Sequence, residues 1–100
     1  MRKDWDDGQA YVAELLGSLK RKPWAELAQL PGYVELAPPT GLGRSKFGQW
    51  KDTRPDRSLR IVVQQYRPGV LAGRMAADGF VVYPDGRLAE IPPDEMWQYT

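Results

Sequence analysis

Six of the chain's 14 Lys and Arg residues fall in one stretch, GRSKFGQWKDTRPDRSLR, from Gly43 to Arg60. Only Asp52 and Asp56 oppose them there, and Phe47 and Trp50 stand among them. Eight basic against eleven acidic residues are left for the rest of the chain, so positive charge is a local property of this stretch. Cations interleaved with aromatics are suited to three tasks. A solvated edge strand uses Lys and Arg to block sheet-to-sheet aggregation. A protein-binding surface uses Arg beside Trp or Phe, the composition enriched at interface hot spots. Single-stranded nucleic acid is held by aromatics that stack on bases and by arginines that follow phosphates. Arg44, Lys46, Trp50, Lys51 and Arg54 are the residues expected to form one exposed binding surface, with an acidic protein as the favoured partner. Nucleic acid is the alternative partner, although Asp52 and Asp56 would repel phosphate and the RNA-recognition signature of the RRM is absent.

Other chemistry is excluded more firmly. The chain has no histidine, hence neither the commonest general base nor any Ser–His or Cys–His pair. It has no cysteine, so neither a disulfide framework nor a thiolate metal site is available. The S-x-x-K pattern of lysine-assisted serine nucleophiles does not occur. Gly43 and Gly48 have P-loop spacing, but Gln49 and Trp50 follow where the phosphate-binding Lys and the metal-binding Ser or Thr belong. Asp4, Asp6 and Asp7 faintly resemble a calcium loop, yet Gln9 and Leu15 occupy the positions that need Gly and Glu. First-turn acids at a helix start explain these aspartates better. No catalytic residue, metal or cofactor is therefore expected, and the reading is of a non-enzymatic module.

The elements that must carry these residues come from one domain of 100 residues with net charge +1 and mean hydropathy −0.56. No apolar run approaches the ~18 residues a membrane span needs. The charged start, MRKDWDDG, has no signal-like apolar region, so a cytoplasmic location is expected. Trp5, Val12, Leu15, Leu16 and Leu19 share one face of a helix over 4–22, with acids first and bases last to match its dipole. Pro23 suits the first position of a short second helix over 23–30. YVEL (33–36) is a first strand and APPTGLG a loop.

SKFGQWKD is a strand on which strict alternation separates Phe47 from Trp50, unless a bulge at Gly48 brings them to one side. SLRIVVQQYR is the strongest strand, with Leu59, Ile61 and Val63 on one face and Val62 and Tyr66 on the other. VLAGRMAAD leans to strand, and GFVVYPDGRLAEI is a hairpin closed by Gly86 at positive φ. PPDEMWQY is one helical turn capped by Asp94, with Trp97 placed to lid the sheet.

The fold class expected is α+β: an N-terminal helix and a short second helix on one face of a four- to five-stranded antiparallel sheet, then a C-terminal helical turn. This element order is similar to that of cystatin-like domains and of some small bacterial immunity proteins, and the likeness implies an immunity- or antitoxin-like form of protein binding. A pocket between helix and sheet, walled by Trp and Tyr, is a third reading.

Overall fold

Trp5, Val12, Leu16 and Leu19, spaced at three, four and seven, are all buried along one side of helix α1, Arg2–Lys20. Leu15 adds a partly buried contact at the rim of the same stripe. In the computed structural model, which describes residues 2–69 and 72–99, α1 is followed by α2 (Trp24–Leu27), β1 (Tyr33–Leu36), β2 (Lys46–Thr53), β3 (Leu59–Arg67), β4 (Arg74–Val82), β5 (Leu88–Ala89) and α3 (Pro93–Met96). A 3₁₀ turn, Trp97–Tyr99, follows α3. The five strands form one antiparallel sheet in the order of the sequence, β1-β2-β3-β4-β5. The α+β architecture read from the sequence is the one observed, with an N-terminal helix, a five-stranded antiparallel sheet and a short C-terminal helical turn.

Because side chains alternate along a strand, each strand splits into a helix-facing and an outward-facing set. The buried centre of the helix-facing set is apolar. Phe47, Leu59, Ile61, Val63, Phe80 and Val82 meet α1 and Leu27 in one buried cluster. Ile61 has no exposed surface at all, and its truncation to Ala would cost about 2–5 kcal/mol. This cluster packs α1 against the sheet. Gln65 is a polar side chain within this face. It is fully buried, and its amide bonds to Gln9, to the Trp5 carbonyl and to Ser45 Oγ, which fastens the start of α1 to β3. Gly8 stands in α1 where any Cβ would collide with that amide.

Several local expectations change. β2 pairs with β1 and β3 without interruption, so there is no bulge at Gly48, and Phe47 and Trp50 lie on opposite faces. The basic stretch is thus an interior strand, with β1 outside it, and not an edge. β4 runs unbroken from Arg74 through Gly79 to Val82, joining segments that glycine and aspartate seemed to divide; Val70 and Leu71 lie outside the described residues. α2 is a single turn that begins at Trp24, one residue later than expected, so Pro23 is its N-cap and not its first residue. α3 begins after Pro92, which leaves Asp94 within its first turn and not at its cap.

Candidate interaction surface

The outward side chains line up in rows across the sheet. The first row is Lys46, Tyr66 and Met75; the second is Glu35, Gly48, Gln64 and Ala77. The third is Tyr33, Trp50, Val62 and Gly79, and the fourth is Asp52, Arg60, Val81 and Ala89. Val62 and Val81 are fully buried although they point away from α1, because the C-terminal segment folds back over this part of the sheet. Tyr99, 5% exposed, is the lid; Trp97, which the sequence offered for that role, is 72% exposed.

Polar contacts hold the lid down. Arg60 donates through Nη1 to Glu95 Oε1 at 2.7 Å, through Nη2 to Asp52 at 3.3 Å and through Nε to the Tyr99 hydroxyl at 3.0 Å. Arg54 donates to the other Glu95 oxygen at 3.2 Å, so one carboxylate joins two arginines. The Tyr99 hydroxyl donates to Asp52, and Trp50 Nε1 reaches Gln64, whose amide donates to the Tyr99 carbonyl. Burial first, and then the hydrogen bond to Asp52 and its negative charge, push the Tyr99 phenol up to about 12. Burial works against the charge on Arg60, but Tyr99, Asp52 and Glu95 outweigh it and hold its pKa above the ordinary value. Two arginines facing two carboxylates leave this cluster balanced. It fastens the chain to itself and offers no excess charge to a phosphate.

The five residues expected to make one exposed surface are therefore divided by the fold. Lys51 points to the helix side, where Nζ donates to the Ala28 carbonyl at 3.1 Å. Arg54 is taken up by Glu95. Trp50 is half-buried between Tyr33, 4.5 Å away ring to ring, and Tyr99 at 6.0 Å. Only Arg44 and Lys46 remain exposed. Of the other bases in the stretch, Arg57 stacks over Trp24 and Arg60 sits in the cluster. Strand alternation is the physical reason: adjacent residues such as Trp50 and Lys51 face opposite ways, so a charge run in sequence is not a charged patch in space.

What stays open is the first two rows and the Tyr33 end of the third. Tyr33 and Met75, 48% and 44% exposed, border a shallow depression of about 190 Å³ lined also by Glu35, Lys46, Gly48 and Tyr66. Gly48 gives it a flat floor, since a Cβ there would stand 2.9 Å from the Tyr33 ring. Tyr33, Tyr66 and Met75 are not marked as a group in the sequence. Their alternation was visible, but only the register between strands sets them beside Lys46. Among the described residues no group of three or more carboxylates is placed to hold a metal, and no helix is long and apolar enough to cross a membrane. Comparison with known proteins finds no matching family model, no similar curated protein and no similar solved structure, so the likeness to cystatin-like and immunity proteins rests on element order alone.

Proposed function

We propose that this protein is a non-enzymatic interaction module that docks a partner protein on the uncovered rows of its sheet. The observation that carries the reading is the open surface of Tyr33, Tyr66 and Met75 around Gly48, with Lys46 at its rim. Large, rather rigid tyrosines and an adaptable methionine are the side chains that interfaces favour. Lys46 lines it and Arg44, two residues earlier, is also exposed, so an acidic segment of the partner is the one they would steer. An immunity- or antitoxin-like role is one concrete form of such docking.

The test is a photo-crosslinking side chain placed at position 75, with position 53 as control, in the cell of origin. A partner trapped only from position 75 is then purified and titrated. Lys46→Glu and Met75→Asp are each expected to weaken its binding by about tenfold, the loss of about 1.4 kcal/mol. Single-stranded RNA is titrated in parallel. Affinity for RNA that falls steeply with salt, and is lost in Tyr33→Ala, would replace the protein partner by nucleic acid.

A further inference from the structure

β5 covers only the last two residues of β4, Val81 and Val82. From Arg74 to Phe80 the outer edge of β4 has no strand beside it among the described residues. Backbone hydrogen bonds fix which groups point there. Tyr83 N–H bonds to the Arg87 carbonyl, so in antiparallel alternation Val81, Gly79, Ala77 and Met75 present their N–H and C=O groups on the β5 side. Beyond the end of β5, Met75 and Ala77 turn those groups outward, while the Gly79 N–H is taken by the Asp78 carboxylate.

Open edges are blunted by shortness, lysine, proline, a bulge, inward-pointing charges or a covering loop; here Ile91 lies beside Gly79, and Arg74 and Asp78 are the charges on the strand. β1, the opposite edge, is only four residues long. The open part of β4 has seven residues, RMAADGF, with no lysine and no proline, and its ladder to β3 is unbroken. Its two charges are Arg74 and Asp78, both on the helix-facing side of the strand. An antiparallel copy of the strand placed about a two-fold axis at Ala76 sets Arg74 opposite the second copy's Asp78, and Asp78 opposite the second copy's Arg74. The same register sets Met75 opposite Ala77, which is a hydrogen-bonded pair from the directions above. The Arg74 guanidinium lies over the Trp5 ring at 4.2 Å, a stacked arrangement that still leaves an N–H edge for a carboxylate.

We propose that β4 is a self-association edge: two copies of this chain pair β4 to β4 in antiparallel register about Ala76, held by two reciprocal Arg74–Asp78 ion pairs. The proposal is independent of the docking face, although pairing would place the two open faces side by side in a single continuous sheet. One strand pair buries less than the roughly 800 Å² per partner of a standard interface, so the dimer is weak and concentration-dependent.

Sedimentation of the full chain from about 10 μM to about 1 mM spans the affinities of such a contact. The expected result is a shift from monomer to dimer across this range. Asp78→Arg and Arg74→Asp, each of which opposes like charges twice, should each weaken association at least tenfold. The double variant Arg74→Asp/Asp78→Arg should restore it. Restoration separates the contact between copies from any role within one chain, because Arg74 over Trp5 and Asp78 bonded to Gly79 N–H are not restored by the swap. Ala77→Pro, which removes an outward N–H and leaves the charges alone, should also give monomer and serves if the charge variants do not fold. A monomer at every concentration, a double variant as weak as the singles, or a dimer that survives Ala77→Pro would overturn the proposal.

Discussion

Arg57 and Gly86 hold the same place in two hairpins of the same build. In each, a Pro-Asp pair occupies the turn and the following residue adopts positive φ, 73° at Arg57 and 90° at Gly86. Arg57 N–H bonds back to the Arg54 carbonyl and Gly86 N–H to the Tyr83 carbonyl. The aspartates, Asp56 and Asp85, accept from the backbone N–H two residues on. The Asp56 carboxyl is held below its ordinary pKa, first by the Ser58 hydroxyl and then by the Ser58 N–H. Only one of the two turns carries the residue that its backbone prefers.

Replacing Arg57 by Gly should therefore stabilise the protein. An L side chain in the left-handed region costs about 1 kcal/mol. Against this stands the stacking of Arg57 over Trp24, worth about 0.5 kcal/mol at an exposed site. The net gain expected is about 0.5 kcal/mol, whereas Gly86→Ala should lose about 1 kcal/mol by the same backbone term. Urea denaturation of both variants measures the pair, and a destabilised Arg57→Gly contradicts the ranking.

The sequence made the second turn legible and left the first half-read, for a physical reason. Gly86 announces positive φ because glycine alone adopts it freely, while Arg57 adopts it only because the hairpin holds it there. The same contrast runs through the fold. Leu59, Ile61 and Val63 alternate so regularly that β3 and its buried face follow at once. The lid over the opposite face does not, because Tyr99 and Glu95 reach Asp52, Arg54 and Arg60 over separations of 35 to 47 residues. Nothing local marks such partners. The five candidate binding residues failed to gather for a related reason: their grouping assumed a shared face, and only strand register assigns faces.

Gly79→Ala and Gly48→Ala should differ widely in cost, although both glycines lie on the outward side of the sheet. At Gly79 a Cβ would collide with the Ile61 carbonyl, which belongs to the fully buried centre of β3, and would also press on Ile91. At Gly48 it would meet only the ring of the exposed Tyr33, which can swing aside. Overpacking against backbone is expected to cost about 3 kcal/mol, and displacing a mobile ring about 1 kcal/mol or less. Comparable melting temperatures for the two variants would refute the asymmetry.

Tyr99 links stability to alkaline pH. Its phenol ionises at about 12 in the folded protein, against about 10 when unfolded. Folding thus favours the neutral phenol. The contribution is fully present below pH ~10 and is lost as the pH rises towards 12, with a ceiling of about 2–3 kcal/mol. Tyr99→Phe removes both the titration and the hydrogen bonds to Asp52 and Arg60. At pH 7 this variant should be less stable than the wild type by about 1–2 kcal/mol. The gap should close between pH 10 and 12, as the wild type loses what the variant never had. Stability curves of the two proteins that stay parallel over that range would show that Tyr99 is not held neutral by its site.

Charge reversal should divide the basic stretch along the line drawn by the fold. Arg44 and Lys46 are exposed and make no hydrogen bond or ion pair among the described residues, so Arg44→Glu and Lys46→Glu should change stability by no more than about 0.5 kcal/mol. Lys51→Glu loses the bond to the Ala28 carbonyl and sets a carboxylate against it, on the side of the sheet that packs on the helices. Arg54→Glu places a second carboxylate beside Glu95, where Arg60 alone must then hold both. Each of these two should cost about 1–3 kcal/mol, the penalty of a partly buried polar group left with the wrong partner. Urea midpoints for the four single variants give the answer directly. If all four fall within 0.5 kcal/mol of the wild type, Lys51 and Arg54 do not brace the fold; if Lys46→Glu is the most damaging, the open face is a structural element and its availability to a partner is lost as an explanation.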